Sequence, residues 1–579
     1  MLGTALRYAR TLRHLKAEQL AFLPVRRIQA RLPLPRTGPG APVDPARAAP
    51  LAAEIAAWGP GDAEARVARV ARADEVVRGV FTFLNHAEEL GERPAWTARR
   101  VGHLWSYHLH YFAYGVDLAW AWRLTGDAAY AHRFAALARG WMEATEGGRG
   151  DGWEPYALAT RAIHWTEALL LLGDGVDGAT REAVGRGLWR QLAVLERRLE
   201  RHLLANHLQR DLQALAVGGL LFGGADAARW RTRGARGLWR ELNEQVLPDG
   251  GHFERSPMYH AVALDDYLRA AALLRAGGEA VPGEAEARLR RMARAFGVLC
   301  RPDGALHLFN DAAQGDAPGR AELDALARRV LGEGVPAPEG ALELRETGYY
   351  GWAQPGGGTR LLVDCGIPGP AYQPGHAHCD VLSYELDLDG RPVVVDAGVS
   401  GYDGDPFREY ARSTRAHNTV SVAGREQSEV WGTFRVGGRA VPVDPSLRAD
   451  TRGAVFAGGC RPWHDPRTLH RRTLQVEAGA LAVTDCVQGS AGAPLESYLH
   501  LHPDFAVRRE GEAWTASRPG QTVVVETWGT DEATLHVGER APVQGWHLPR
   551  FGEALPAAAL RLRVRANDGR EFGYRIRQG

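Results

Sequence analysis

The sequence predicts an α+β multidomain protein in which an (α/α) toroid or solenoid of helical hairpins precedes an antiparallel β-sandwich. Between about residues 101 and 331, apolar residues recur at i, i+3, i+4 and i+7, which is typical of amphipathic helices. After a linker that contains Pro336 and Pro338, short runs alternate apolar and polar residues, which is typical of strands. Asp-Gly and Gly-rich turns separate these runs and indicate antiparallel pairing.

These patterns also predict the domain organisation. We expect an N-terminal helical extension over 1–100, the helical toroid over 101–340 and the β-sandwich over 346–579. Helical segments such as HYFAYGVDLAWAWRL and YALATRAIHWTEALLLL are bounded by Gly, Asp and Pro, as helices in hairpins with short connections are.

Composition excludes two classes of protein. The 579 residues include 45% hydrophobic and 24% charged residues, which are globular averages and exclude a disordered chain. Because 70 basic and 69 acidic residues give a net charge of +1, the broad positive field of a duplex-binding protein is missing, and we expect no nucleic-acid partner. The five cysteines form no C-x-x-C pair, which argues against a disulfide framework and against a cysteine-rich zinc site.

The N-terminal segment is basic and contains no apolar run long enough for a secretory signal. We therefore expect a cytoplasmic protein without a transmembrane segment. Since Leu12, Leu15, Leu20, Phe22 and Leu23 lie among basic residues, a helix on a membrane surface is an alternative role for this segment.

The most informative stretch, residues 372–429, contains His376, His378, Asp396 and His417 in a segment that otherwise alternates like β-strand. Alternation places His376 and His378 on the same strand face. Imidazoles and a carboxylate in such a setting are metal ligands or proton-transfer groups. The alternative is a histidine pair on a solvated strand face.

A second group of polar residues lies in the helical region. Asn206 and His207 stand at a predicted helix start, where Asn206 and Gln209 also fit an N-cap with its capping-box partner.

About fifty residues later, Ser256 and Pro257 predict the start of another helix, with Tyr259 in its first turn. The positive end of the helix dipole there favours a phenolate. Arg255 and His260 are the nearest candidates to stabilise that anion.

Several motifs in the same order resemble the heparinase II/III-type polysaccharide lyases. They are LWSYHLHYF, WEPYALATRAIHW, NHLQRD, HFERSPMYH, LFNDAAQGDAP, PGHAHCDVLSYEL, GRPVVVDAG and RSTRAHNTV. The resemblance covers residues from about 101 to about 439 and implies a toroid followed by a β-sandwich. It also implies β-elimination at 4-linked uronic acids of acidic polysaccharides.

The resemblance implies roles for individual residues. Tyr259 and His376 correspond to the catalytic tyrosine and histidine, and Asn206, with His207, to the groups that neutralise the uronate carboxylate. Because removal of the C5 proton builds negative charge on that carboxylate, hydrogen-bond donors are needed there. The residues expected to bind substrate are His108, Trp153, Arg161, His164, Arg210, Glu254 and Arg255.

Two of these expectations have particular reasons. Trp153, like Trp105, lies beside a polar cluster and is a candidate to stack on a sugar ring. Arg210 is an added cation that suits a sulfated chain, or is salt-bridged to Asp211 or Glu254.

His378, Asp396 and His417 resemble the metal-ligand set of the family, which implies one divalent metal, zinc first, with manganese or calcium as alternatives. The Asp389-Gly390 turn predicts a two-residue hairpin that pairs Ser383 with Asp396. We expect a structural metal that orients His376.

The leading hypothesis is a polysaccharide lyase that acts on a uronate-containing glycan, either glycosaminoglycan-like or alginate-like. Two alternatives are a uronate C5-epimerase and a noncatalytic glycan-binding protein of exopolysaccharide or capsule assembly. Glycoside hydrolysis by Glu254 with Asp265 or Asp266 is less favoured, because adjacent residues cannot share a helix face.

Overall fold

The computed structural model describes residues 2–34, 40–97, 101–490, 492–565 and 569–579. The chain forms two compact units. The helical unit comprises Lys16–Glu244 and Asp265–Ala287, and the β-rich unit comprises Met1–Leu15, Gln245–Leu264 and Arg288–Gly579. The predicted boundary at residue 100 lies outside the described residues.

Helices occupy most of the first 331 residues. They are α1 (Leu2–Leu12), α2 (Ala17–Arg31), α3 (Pro45–Ala56), α4 (Ala63–Val77), α5 (His103–Tyr111), α6 (Ala113–Thr125), α7 (Ala128–Ala144), α8 (Pro155–Leu172), α9 (Gly178–Leu195), α10 (Ala205–Gly218), α11 (Gly224–Gln245), α12 (Pro257–Ala276), α13 (Gly283–Leu299), α14 (Arg320–Leu331) and, later in the chain, α15 (Pro406–Ala411).

Local sequence explains where these helices begin and end. Helix α8 starts with Pro155 at its first position, where the missing N–H costs nothing, and stops before Gly173. It is buried over nearly its whole length, including the polar residues Thr160, Arg161 and Glu167. The predicted single helix HYFAYGVDLAWAWRL is instead two helices, because Phe112 has a φ of 61° between α5 and α6.

Two short strands lie within the mainly helical part of the chain, and strands dominate after residue 339. They are β1 (Val80–Phe83) and β2 (His86–Glu89), which precede this region, and then β3 (Gly340–Leu344), β4 (Tyr349–Ala353), β5 (Arg360–Asp364), β6 (Tyr384–Leu388), β7 (Arg391–Val394), β8 (Val420–Val422), β9 (Val430–Trp431), β10 (Arg435–Val436), β11 (Val441–Ala449), β12 (Gly453–Arg461), β13 (Leu469–Glu477), β14 (Ala480–Gln488), β15 (Leu495–His500), β16 (Ala506–Glu510), β17 (Ala513–Arg518), β18 (Gln521–Trp528), β19 (Glu532–Val537), β20 (Glu539–Arg540), β21 (Val543–Gln544), β22 (Trp546–His547), β23 (Leu555–Pro556), β24 (Ala558–Val564) and β25 (Glu571–Gln578).

The larger sheets of the β-rich unit are antiparallel. Their strand orders are β3-β4-β5-β6-β7, β19-β24-β15-β8 and β11-β12-β13-β14-β25-β18-β17-β16. Strand β13 alternates buried and exposed side chains along most of its length, as a strand with one covered face does. Trp352, Phe456 and Leu560, one from each of these sheets, belong to one buried apolar cluster, which is the core of this unit.

Two further predictions concern cysteines and membranes. All five cysteines are free thiols, and four of them are buried. Within the described ranges, none of the helices combines the length and the apolar character that crossing a bilayer requires.

Candidate functional site

Tyr259 lies in the first turn of helix α12, as the sequence predicts. Its backbone N–H donates to the Ser256 hydroxyl at 3.3 Å, and that hydroxyl donates to the backbone carbonyl of Asp311 at 2.6 Å. These two bonds fix the start of the helix within the β-rich unit and therefore fix the position of the Tyr259 ring.

Tyr259 and His376 are in direct contact. Their ring centroids are 3.7 Å apart and the ring planes differ by 14°, which is a close parallel stack. Glu254 is buried and binds His376 Nδ1 through its carboxylate. His376 lies in an irregular segment and not in the predicted strand, yet it remains partly accessible. The structure thus brings three predicted site residues together.

Two further residues that the sequence analysis missed complete this cluster. The Tyr402 hydroxyl forms a 3.0 Å hydrogen bond with the Tyr259 hydroxyl, and its ring lies 6.2 Å from that of His376. The Phe434 ring stands edge-on to His376 at 6.3 Å and is 40% exposed. The rings of Tyr259, Tyr402 and Phe434 therefore all lie near His376.

Electrostatics at Tyr259 favour the neutral phenol. Burial raises the pKa of Tyr259 well above its usual value, and the neighbouring Tyr402 and Asp311 raise it further. Burial is also the main cause of the raised pKa of Tyr402. Tyr259 is accordingly suited to donate a proton from its resting state.

The predicted stabilisers of a Tyr259 phenolate have other partners, so this expectation is corrected. Arg255 Nε donates to the Thr347 carbonyl at 2.8 Å and its Nη1 to the Phe253 carbonyl at 2.7 Å. His260 Nε2 donates to the Met292 carbonyl at 2.9 Å, and its Nδ1 accepts from a backbone N–H. Arg255 is buried at these contacts, which explains its position without a substrate role.

His260 and its neighbour His252 predict acid sensitivity. Burial lowers the pKa of His260 to about 3 and that of His252 to about 4, whereas the unfolded imidazoles titrate near 6.5. Below pH 6.5 the unfolded chain therefore binds more protons than the folded protein does. The stabilisation by these neutral histidines is fully present above pH 6.5 and is lost as the pH falls toward 4. In that window each histidine lowers the free energy of unfolding by about 1.4 kcal/mol per pH unit.

The check is the denaturant midpoint measured at pH values from about 7.5 to about 5. His260→Gln is expected to reduce the pH slope, whatever its effect at neutral pH. An unchanged slope in His260→Gln would show that His260 is protonated in the folded protein.

A compact group of potential metal ligands lies near His376 in sequence. Ligand atoms of His378, Asp380 and His417 all lie within 4.8 Å of one another, and the three residues are buried. His378 Nδ1 and His417 Nε2 are buried and have no hydrogen-bond partner in the described ranges. Two unpartnered imidazole nitrogens beside a carboxylate fit a divalent metal such as zinc.

Asp396, which the sequence analysis placed in the ligand set, lies next to this group. Its carboxylate binds His417 Nδ1 at 2.8 Å, and Asp311 binds His378 Nε2 at 2.8 Å. In each imidazole, one ring nitrogen is hydrogen-bonded to a carboxylate, and the other has no partner within the described ranges. Metal-binding histidines usually have this arrangement. Asp380 thus lies in the compact group with His378 and His417, and Asp396 holds the His417 imidazole.

The predicted β6-β7 hairpin explains part of this arrangement. Leu388 pairs with Arg391 across the two-residue turn, which confirms the Asp389-Gly390 turn. A bulge follows, so Leu386 pairs with Val394 and the predicted Ser383 pairing with Asp396 is shifted by one residue. The two side chains still meet, since Ser383 Oγ lies 3.4 Å from Asp396 Oδ2.

Asn206 and His207 lie on helix α10 of the helical unit. The helix begins at Ala205 with Leu204 as its N-cap, so the alternative that Asn206 caps the helix is wrong. Within the described part of the chain, the Asn206 side chain forms no hydrogen bond, and it is half-buried. His207 Nδ1 lies 3.0 Å from Glu200 Oε2 and its ring packs on Tyr156. Glu200 therefore orients His207.

Arg210, His164 and His108 also belong to the helical unit. Arg210 forms a 2.7 Å ion pair with Asp266, and not with Asp211 or Glu254 as the alternative proposed. His164 Nδ1 binds the Tyr111 carbonyl at 2.7 Å, and His108 packs on Tyr111. Burial lowers the pKa of each histidine to about 4, so both are neutral at physiological pH.

Trp153 and Arg161 are core residues, which corrects their predicted role in substrate binding. Trp153 is 4% exposed and donates its indole N–H to the Thr145 carbonyl at 2.9 Å. Trp105, the other tryptophan proposed to stack on sugar, is equally buried. Arg161 is fully buried over the Trp141 ring and donates to Gln191 and to two backbone carbonyls.

Two family models match the chain. The model described as Heparinase II/III N-terminus matches residues 67–321, and the model described as Heparinase II/III-like, C-terminal, matches residues 336–575. Together they span most of the sequence.

Individual relatives agree with these matches. Heparin-sulfate lyase of Pedobacter heparinus is 25% identical over 474 residues, which are 75% of this chain and 68% of that protein. FtsZ-localized protein C of Caulobacter vibrioides is 24% identical over 420 residues, which are 66% of this chain and 68% of that protein.

A solved structure with a similar fold is that of heparinase III, with a TM-score of 0.70 and 16% identity over 97% of this chain and 89% of that one. At this identity the likeness establishes the fold alone, which is a helical toroid followed by an antiparallel β-sandwich. The predicted fold class is confirmed.

Proposed function

The chain belongs to the heparinase II/III family of polysaccharide lyases, and we propose that it cleaves a glycosaminoglycan by β-elimination at a uronic acid. The stack of Tyr259 on His376, with centroids 3.7 Å apart, supports this proposal most directly. Elimination needs one group that removes the C5 proton and another that protonates O4. A histidine and a tyrosine in contact supply both.

His376 is the better base. Glu254 accepts a hydrogen bond from Nδ1–H, so Nε2 is the nitrogen with a free lone pair. When Nε2 takes the C5 proton, the electrons of the C5–H bond form the C4=C5 double bond and the C4–O4 bond breaks. Tyr259 donates its hydroxyl proton to O4, and the proton held by His376 then restores the tyrosine.

The uronate carboxylate needs donors while charge builds on it. The family resemblance implies this role for the amide of Asn206 and the imidazole of His207, both in the helical unit, where the Asn206 amide is half-buried and forms no hydrogen bond within the described ranges.

We also propose that His378, His417 and Asp380 hold one divalent metal, with zinc favoured by two imidazoles and a carboxylate. When bound, such a metal would supply rigidity and positive charge near the segment that contains His376. Asp311 and Asp396 hold the two imidazoles in the orientation that ligation requires.

Metal removal tests the second proposal. Purified protein is expected to contain about one equivalent of zinc, and a chelator is expected to lower the melting temperature by about 5 °C or more. His378→Ala should contain no zinc, and its melting temperature should not respond to the chelator. If removal of the metal from the wild-type protein left its melting temperature unchanged, that result would contradict the assignment.

A substrate panel tests the reaction. Chondroitin, hyaluronan, heparosan, heparin and alginate are incubated separately with the protein, and the ultraviolet absorbance of the conjugated C4=C5 bond is followed. We expect an increase with at least one glycosaminoglycan. No increase with any uronate polymer would defeat the proposal. Deuterium uptake at C5 without chain shortening would instead identify an epimerase.

A noncatalytic role is the second candidate, because the Caulobacter vibrioides relative is named for its localisation and not for an activity. This alternative predicts that wild type, Tyr259→Phe and His376→Ala bind the polymer equally well and that none of them turns it over.

A further inference from the structure

Helix α1 belongs to the β-rich unit and contacts Glu429 and Trp431 of that unit through its polar side chains. Arg10 Nε donates to Glu429 Oε2 at 2.7 Å, and the indole N–H of Trp431 donates to the Thr11 hydroxyl at 3.2 Å. The Tyr8 ring lies edge-on to Trp431 at 4.9 Å. The face of α1 that contacts the protein is therefore the one that would usually face water.

The opposite face of α1 is apolar and exposed. Ala5, Leu6, Ala9 and Leu12 follow the helical spacing, so their side chains lie on one side of the helix. Leu6 is 51% exposed and Leu12 is 46% exposed. A surface helix normally buries this stripe, so the orientation of α1 is inverted.

Helix α2, in the helical unit, also exposes apolar residues. Leu20 is 48%, Leu23 36% and Ile28 59% exposed, and Arg27 and Arg31 on the same helix are exposed as well. Of the sixteen large apolar side chains exposed in the described part of the chain, eight lie between residues 6 and 32. This concentration sets the segment apart from the scattered exposed residues that every protein has.

The charge of this segment differs from that of the rest of the chain. Residues 1–34 contain seven basic residues and one acidic residue, and the remaining residues contain 63 basic and 68 acidic ones. A basic, apolar segment on an otherwise slightly acidic protein matches the surface of an anionic bilayer. A second copy of the chain fits less well, because it would bring two basic segments together.

We propose that helix α1 docks on an anionic membrane surface and that helix α2, by its own exposed side chains, does so too. In α1, the side chains of Leu6 and Leu12 enter the headgroup region. In α2, Leu20 and Ile28 enter it, and the exposed Arg27 and Arg31 meet lipid phosphates. This inference goes beyond the proposed lyase activity and does not depend on it.

Vesicle flotation with the full chain tests the proposal. Vesicles of phosphatidylcholine with about 30% phosphatidylglycerol are compared with pure phosphatidylcholine, at about 0.01 M and about 0.15 M salt. We expect the protein to float with the anionic vesicles, and less so at the higher salt concentration. The double variant Leu6→Glu with Leu12→Glu should bind at least about tenfold more weakly.

Matched controls separate this surface from general effects. Val67 is 69% exposed and Val537 is 51% exposed, so Val67→Glu and Val537→Glu add the same charge elsewhere and should bind as wild type does. Circular dichroism and melting temperature of the Leu6, Leu12 double variant should match the wild type, because both side chains are exposed. A separate Arg27→Gln, Arg31→Gln variant should lose part of the salt dependence.

Three outcomes would overturn the proposal. In the first, wild-type protein fails to float with anionic vesicles at low salt. In the second, the Leu6, Leu12 double variant binds as tightly as the wild type. In the third, the wild type does not bind vesicles, and sedimentation analysis finds that it is a dimer whereas the Leu6, Leu12 double variant is a monomer. That result would assign the exposed face to contact with a second copy of the chain.

Discussion

Replacing Tyr259 with phenylalanine is expected to lower kcat on a cleaved glycosaminoglycan by about 10³-fold while leaving the melting temperature close to that of the wild type. The substitution keeps the ring that stacks on His376 and removes only the hydroxyl, which is the proposed proton donor to O4. Steady-state kinetics by ultraviolet absorbance measures the effect. Because the ring is retained, KM should change much less than kcat.

Tyr350→Phe is the matched control. Tyr350 lies in strand β4, is 4% exposed and belongs to the core cluster of the β-rich unit, so the loss of its hydroxyl should leave kcat unchanged. Tyr402→Phe removes the 3.0 Å partner of the Tyr259 hydroxyl and should give an intermediate loss. A Tyr259→Phe enzyme that keeps more than about a tenth of wild-type kcat would remove the tyrosine from the mechanism.

Replacing Asp311 with alanine is expected to reduce stability by about 3–5 kcal/mol. Asp311 is fully buried, binds His378 Nε2 at 2.8 Å and pairs with Arg408, whose Nη2 lies 2.9 Å from its carboxylate. Burial alone would raise the pKa of Asp311, but Arg408 and His378 hold it well below its usual value, so the carboxylate is ionised. Its removal leaves the buried Arg408 cation without its counter-ion.

The denaturant midpoint measures this loss, with an unchanged slope as evidence that the change is in stability. Glu182→Ala is the control, because Glu182 pairs with Arg186 on the surface of helix α9 and both side chains are exposed. That substitution should change stability by less than about 1 kcal/mol. Equal effects of the two substitutions would mean that Asp311 does not neutralise Arg408.

Much of the fold follows from local patterns in the sequence. The switch from helical to strand periodicity marks the change from α14 to β3, and the Asp389-Gly390 turn predicts the β6-β7 hairpin. What local patterns could not predict is the left-handed Phe112 that divides α5 from α6, or the bulge at Leu386 and Asp387, because tertiary packing imposes both.

Candidate residues could be proposed from the sequence where a motif contains them. Tyr259 and His376 each lie in a distinctive segment, and Ser256-Pro257 is a local helix-start signal. Asp311 and Asp380 lie in quoted motifs but resemble ordinary turn residues, and Tyr402 follows a glycine in a loop. Only the tertiary structure reveals that Asp311 reaches His378 and that Tyr402 reaches Tyr259.

Other predicted substrate-binding residues lie in the core. Trp153 and Arg161 were proposed from the polar residues near them in sequence, yet both are buried, and Arg161 donates to Gln191 and to two backbone carbonyls. Arg255 likewise donates to backbone carbonyls. Sequence composition identifies such residue types, but the direction in which a long side chain points depends on packing.

The most direct test of the central claim, that Tyr259 and His376 together perform β-elimination, is the mass spectrum of the products from a cleaved glycosaminoglycan. The wild-type protein should give fragments with an unsaturated uronate end, lighter by one water than hydrolysis products, and neither Tyr259→Phe nor His376→Ala should give them at a comparable rate. Saturated fragments from the wild type, or a yield of unsaturated fragments from either variant equal to that of the wild type, would contradict it.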